Sequence, residues 1–335
     1  MLLTIFFPVT TSTLSEIHLG KFVIENYDLP KSSTCKLFRT GINHTYFIST
    51  SNTKYALRVY SYNWRTKQEI LEELKLLNEL RAHNLSVSFP IKNKKGKFIQ
   101  EINAPEGVRF VVLFSFANGN KVRFMSTETC FKIGSLMANF HKITHNKNIN
   151  RINYTSETLV ELPYNYACNY FSEALPEMKF LKEQENLICK LFKQVDATQI
   201  KSGIIHLDIW YDNMSITNKN EITIFDFDFC GNGWLLFDVA YFTNQLFNIE
   251  TDKKEYELKL HHFLEGYQSI LKLTKKELEL LPSAATAIQL FYLGVQSQRF
   301  DWSNIFLTEN YLKMYVGRIK SWVDYHKNKE NISIL

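Results

Sequence analysis

No two of the five cysteines, Cys35, Cys130, Cys168, Cys189 and Cys230, form a C-x-x-C pair. Scattered and odd in number, they read as reduced, packed thiols of a cytoplasmic protein. The net charge is only +5, without a dense basic stripe, which argues against nucleic acid as a partner. That mild balance does suit an anionic nucleotide. No run of about eighteen apolar residues occurs, so no membrane-spanning helix and no membrane partner is expected. The apolar stretch Leu2 to Phe7 is short, has no basic flank and is cut off by Pro8. It reads as a packed segment rather than a signal peptide. There is no G-x-G-x-x-G, no internal repeat and no low-complexity segment. Nothing in the sequence sets an oligomeric state.

What is present is an ordinary globular composition of 335 residues, 45% hydrophobic and 22% charged, long enough for two lobes. Twenty-six Phe and seventeen Tyr supply a sizeable core and aromatic walls for a ligand.

Carboxylates concentrate between Ile204 and Tyr241. Ile204 and Ile205 lead into His206-Leu207-Asp208, and Asn213 follows five residues after Asp208. A polar turn spans Asn218 to Asn220. Ile222, Ile224 and Phe225 then lead into Asp226-Phe227-Asp228, followed by a tight turn at Gly231 and Gly233 and then Asp238. Two short apolar strands joined this way can hold their exits side by side. Asp208, Asn213 and Asp226 would then converge. Two carboxylates and an amide oxygen form a hard-oxygen set suited to Mg²⁺ with its phosphates.

The pattern H-x-D-x-x-x-x-N, then an apolar strand into D-F-D, resembles the catalytic loop and metal-binding segment of kinases. More narrowly it is similar to the aminoglycoside phosphotransferase and choline kinase superfamily, nearest its stress-response kinase and type II homoserine kinase-like branch. Leu207 and Ile209-Trp210-Tyr211 stand where that family usually has Gly, Leu, His and Pro. The resemblance implies an α+β, two-lobed protein-kinase-like fold. Residues 1–116 would form a mostly antiparallel β N-lobe, and residues 117–335 a helical C-lobe. It also implies ATP and Mg²⁺ as cofactors and a small-molecule hydroxyl as acceptor. Asp208 would be catalytic, and Asn213 and Asp226 would hold the metal. Asp228 would support the metal site or cap the turn. His206 and Asp238 would be structural, Asp238 tying back to the catalytic loop.

The N-terminal half supports this resemblance with departures. Ser12-Thr13-Leu14-Ser15-Glu16 reads as a helix start, capped by Ser12 or Thr13, with the helix ending near Tyr27. Strands follow over Lys36–Arg39, Thr45–Ile48 and Lys54–Tyr60. The family's hairpin over the nucleotide phosphates would lie at Gly41, the only glycine in this turn. On KYALRVY, Arg58 stands where kinases carry the phosphate-binding lysine; otherwise it is an exposed strand arginine. A helix over Thr66–His83, capped by Thr66 with Glu69, offers Glu72 and Glu73 as partners for Arg58. Glu73 fits the family's spacing through Leu77 and Leu80. Val108–Phe116 reads as a buried strand. In the family the backbone after it, here about Ser115 to Ala117, binds the adenine.

Thr127–Lys142 is an apolar helix with His141 packed or capping near its end, and Thr144 to Tyr154 is a polar loop. Ser156–Ala197 is helical with breaks at Pro163 and Pro176. Helices are then expected over Val239–Asn248, Lys253–Leu271, Lys275–Gly294 and Leu307–Lys327. Two other readings stay open. A protein hydroxyl could be the acceptor, as in a stress-type Ser/Thr kinase. Alternatively the chain is a nucleotide-binding pseudokinase, given Arg58 and the altered loop.

Overall fold

The computed structural model describes residues 7–332. Of the expected packed segment Leu2 to Phe7, all but Phe7 lies outside the described residues, and Phe7 is exposed. The chain divides into two compact units, one comprising residues up to Ala82 with Val87–Ala117, the other His83–Ser86 with Asn118 onward.

The first unit is built on an antiparallel sheet with strand order β1-β2-β3-β5-β4. Its strands are β1 (Thr34–Arg39), β2 (His44–Ser49), β3 (Lys54–Val59), β4 (Ile99–Ala104) and β5 (Gly107–Ser115). Alternation puts Tyr46, Ile48, Leu57, Val59, Val111 and Leu113 on one face. Leu19, Val23 and Tyr27, from and just after helix α1 (Glu16–Asn26), cover that face. The N-cap of α1 is Ser15, not the expected Ser12 or Thr13. Ser12 is engaged elsewhere: its hydroxyl donates to Glu106 and its carbonyl accepts from the buried Arg109. Helix α2 (Lys67–Ala82) starts as expected, with Thr66 and Glu69 exchanging a reciprocal capping pair.

The second unit is mainly helical. Helix α3 (Thr127–Thr144) crosses α7 (Lys253–Gln268) at reciprocal glycines. A Cβ on Gly134 would lie 2.0 Å from the Phe263 carbonyl oxygen, and one on Gly266 would lie 2.0 Å from that of Phe131. Residues 156–197 hold a π-helical turn, α4 (Leu162–Ala167) and α5 (Pro176–Gln194). Pro163 does not break this segment. The helix runs on through it, directly after the π-helical turn Glu157–Glu161 whose wider winding accommodates a residue without an N–H. Helices α6 (Leu236–Ile249), α8 (Lys275–Gln298), α9 (Phe300–Ser303) and α10 (Glu309–Ile332) complete the unit. By length and composition α8 is apolar enough to cross a membrane, but 67% of its apolar window is buried inside the structure. It packs on α4, α5, α6 and α10 as a core helix.

Two short ladders carry the carboxylate segment, in a pairing the sequence did not suggest. Strand β6 (Ser202–Ile205) pairs with β9 (Gly231–Trp234), and β7 (Met214–Ile216) pairs with β8 (Ile222–Ile224). The strands before Asp208 and Asp226 are therefore not ladder partners. Gly231 and Gly233 do not form the expected tight turn; they lie in β9. A Cβ on Gly231 would lie 2.6 Å from the Ile152 carbonyl oxygen, so glycine serves close approach there.

Candidate active site

Strand β6 delivers His206-Leu207-Asp208 to a sharp turn. Leu207 is fully buried yet left-handed, with φ 64°. A non-glycine residue pays about 1–3 kcal/mol for that conformation and keeps it only when its surroundings fix it. Asp238, the third residue of α6, does the fixing. It accepts from the N–H groups of His206 at 2.9 Å and Leu207 at 2.6 Å, and from His141 Nε2 at 3.0 Å. His141, fully buried, also bonds the Tyr267 hydroxyl through Nδ1 at 2.7 Å. His206 Nδ1 accepts from the Asp208 N–H at 3.1 Å, so its Nε2 carries the hydrogen that donates to the Phe225 carbonyl at 3.2 Å. Burial lowers the pKa of His206, in keeping with this neutral role. One imidazole thus joins the Asp208 turn to the Asp226 segment.

Asp208 itself is half-buried. Its Oδ1 accepts from Tyr241 at 2.8 Å, and its Oδ2 accepts from Asn213 Nδ2 at 2.6 Å. Desolvation, then the neighbouring charge of Asp226, pushes its carboxyl up to about 8. Two carboxylates near enough to feel each other's charge favour a cation, which would reverse that shift. Asn213 and Asp226 come together through the β7–β8 ladder, which continues as Phe225 N–H donating to the Asn213 carbonyl at 3.0 Å. With its Nδ2 turned to Asp208, Asn213 leaves its amide oxygen for another partner. Asp226 is left-handed, φ 66°, at the cap of a 3₁₀ turn over Phe227–Phe229, while Asp228 is buried. Among the described residues, no three His, Cys, Asp or Glu side chains gather into a metal cage. Asp226 with the Asn213 oxygen suits Mg²⁺, which keeps waters and phosphate oxygens in its shell.

In the first unit, Arg58 leaves β3 toward α2. Its Nη1 lies 3.0 Å from Glu73 Oε1, with the two side chains 12% and 1% exposed, so the exposed-arginine alternative does not hold. Tyr60 donates to the other oxygen of Glu73 at 3.0 Å. Glu72, the other candidate, accepts from Gln68 and Lys75. Gly41 lies in the turn between β1 and β2, whose next residues are held by Ser61: its Oγ–H donates to the Ile42 carbonyl and its N–H to Asn43 Oδ1. At the end of β5, the Ser115 N–H donates to the Phe89 carbonyl and the Ser115 carbonyl accepts from Ser88. The Ser115 N–H is therefore already committed to the segment at Phe89, and Ala117 follows as the next backbone after Phe116.

Sequence reasoning missed several residues. Arg151, read only as part of a polar loop, is buried and donates to the carbonyls of Phe227 and Asp228 and to Cys230 Sγ. Tyr154 donates to the Phe229 carbonyl at 2.6 Å. Together they grip the main chain just after Asp226. Tyr241 and Tyr292 grip the Asp208 turn, and burial beside Asp208 raises both phenols far above their ordinary range, keeping them donors. No local pattern marked these residues, because their partners lie tens of residues away.

An antiparallel β unit joined to a helical unit that carries such a loop defines a kinase-like fold. Residues 34–273 match the model of the phosphotransferase enzyme family, and the chain belongs to that family. The match makes it a phosphotransferase by family. The chain is 25% identical to a homoserine kinase of Bradyrhizobium diazoefficiens over 283 residues, 84% of each chain. Among solved structures it shares the fold of amicoumacin kinase hAmiN in complex with AMP-PNP, Ca²⁺ and Ami: TM-score 0.76, 19% identity, 93% of this chain and 94% of that one. The microcompartment-associated aminopropanol kinase has a TM-score of 0.74 at 18% identity, covering 91% of this chain and 95% of that one.

Proposed function

We propose that this chain transfers the γ-phosphoryl group of ATP to the hydroxyl of a small amino alcohol in the cytoplasm. The carrying observation is the Asp208 turn: a carboxylate clamped on both oxygens, beside Asp226 and Asn213, in a member of the phosphotransferase family. The amino alcohol is favoured by the homoserine and aminopropanol kinases among its relatives and fold neighbours.

Phosphoryl transfer asks the protein mainly for positioning and charge neutralisation. Asp208 orients the acceptor hydroxyl and takes its proton. Asp226 and the amide oxygen of Asn213 hold Mg²⁺, which when bound neutralises charge on the phosphate oxygens. Arg58, braced by Glu73, grips the α- and β-phosphates; its planar fork suits a bidentate contact. The Gly41 turn covers the phosphates, and the main chain around Phe116 and Ala117, with the Ser115 carbonyl, takes the base.

The test is ADP release from Mg-ATP by the full chain with L-homoserine, 1-amino-2-propanol, glycerol or a mixed protein substrate. Release with the amino alcohols and not glycerol is expected. Phosphate appearing on protein Ser or Thr instead would make the chain a protein kinase. Tight Mg-ATP binding with no release on any acceptor would make it a pseudokinase.

A further inference from the structure

Of the side chains that engage the Asp208 carboxylate, only Asn213 belongs to the H-x-D-x-x-x-x-N segment. Tyr241 comes from α6 and is 5% exposed. Its ring stacks on that of Tyr292 from α8, with centroids 5.3 Å apart and planes at 29°. Tyr292 in turn donates to the Leu207 carbonyl at 3.2 Å and meets Phe229 edge-on at 5.5 Å. One phenol therefore holds the carboxylate of Asp208, and the phenol stacked on it holds the backbone just before Asp208 and also faces that carboxylate.

An aspartate carboxylate turns easily about its last torsion, which is broad and two-fold. Here both oxygens are engaged, by Asn213 of the loop and Tyr241 of α6, and the Tyr292 hydroxyl of α8 also faces the carboxylate. The plane of the carboxylate, and so the direction of the lone pairs left for an acceptor hydroxyl, is set jointly by Asn213 and the two tyrosines. Asn213 cannot set it alone, since a single hydrogen bond leaves rotation about its own axis.

We infer that Tyr241 is a positioning residue for phosphoryl transfer, which fixes the plane of the Asp208 carboxylate, and that Tyr292 holds Tyr241 and Leu207 in register. This inference rests on the phosphotransfer reading above. The competing account is that Tyr241 merely fills the helix interface. Removing the hydroxyl alone separates the two, because the stacked ring remains.

The experiment compares the full-length wild type with Tyr241→Phe, Tyr292→Phe and a control, Tyr256→Phe. Tyr256 is fully buried and packs on Phe247, and its hydroxyl lacks a hydrogen-bond partner. Mg-ATP and L-homoserine or 1-amino-2-propanol serve as probes. Tyr241→Phe should lower kcat by about 10- to 100-fold with the KM for Mg-ATP unchanged and only a modest fall in melting temperature, as for a misaimed catalytic group. Tyr292→Phe, which removes the second phenol facing Asp208, should do the same, and Tyr256→Phe should leave kcat unchanged. Crystal structures of wild type and Tyr241→Phe should show the carboxylate turned in the variant. An unchanged kcat, an unmoved carboxylate, or an equal loss in Tyr256→Phe overturns the inference. If the wild type releases no ADP with any acceptor, the phosphotransfer reading fails by itself. The two crystal structures then decide the clamp alone: a turned carboxylate keeps it and an unmoved one removes it.

Discussion

Leu207 donates its N–H to Asp238 at 2.6 Å while lying in the left-handed region at φ 64°. The bond runs from the loop after β6 to the first turn of α6, and it holds a leucine in a conformation that favours glycine. Asp238→Asn offers one acceptor oxygen and sets an NH₂ against an N–H. That should cost about 3 kcal/mol, the scale of a lost bond to a charged acceptor plus an unsatisfied donor. Leu207→Gly relieves about 1 kcal/mol of strain. It also empties a fully buried leucine site, worth about 3 kcal/mol. The net effect is destabilising, and denaturant unfolding of both variants checks it. A Leu207→Gly protein more stable than wild type would mean the strain outweighs the packing.

Asp208→Ala should bind Mg-ATP almost as wild type does and transfer phosphate about 10²- to 10⁴-fold more slowly, the range for a lost positioned base. Calorimetry reads the first quantity and ADP release the second. Wild-type turnover in this variant would remove Asp208 from the chemical step.

Asp226→Asn should leave the fold intact, weaken Mg-ATP binding and abolish turnover. Asp228 is buried within the 3₁₀ turn that Arg151 grips, so Asp228→Asn should be milder on metal dependence. A Mg²⁺ titration of activity distinguishes them. If Asp226→Asn keeps the wild-type Mg²⁺ requirement and rate, the metal is held elsewhere.

Arg58→Ala should lower both ATP affinity and rate. It also leaves Glu73, 1% exposed, without its guanidinium partner, so stability should fall by about 3 kcal/mol or more. Arg58→Lys restores the charge and should recover much of the activity. ATP affinities equal across the three proteins would assign Arg58 to structure alone.

Gly134→Ala should destabilise the second unit by at least the cost of overpacking, about 1–3 kcal/mol. The added methyl would meet the Phe263 carbonyl, a backbone atom that cannot swing aside. Gly317→Ala, with nothing within 4 Å of its Cβ, is the control and should be neutral or stabilising. Thermal unfolding of the pair tests the crossing. Equal midpoints would show that α3 and α7 can separate freely.

The sequence by itself determined what depends on near neighbours. The period-2 run Lys54–Val59, the Thr66–Glu69 cap and the amphipathic stripe of α2 are set within a few residues, and each stands where its pattern puts it. The spacing of Asp208, Asn213 and Asp226 belongs with these, because the short connection between β7 and β8 leaves few ways to fold back. The tertiary structure alone decided the rest. Two-residue apolar runs such as Ile204-Ile205 pair equally well with any short strand, so only packing could select β9 over β8. Gly231 then looks like a turn residue until Ile152 is found against it. Tyr241, Tyr292 and Arg151 act on backbone and carboxylate atoms brought near by helices and loops far along the chain. The physical reason is one of range. Propensity and capping act within a turn or two, whereas a buried donor is matched to its acceptor only once the core has closed around both.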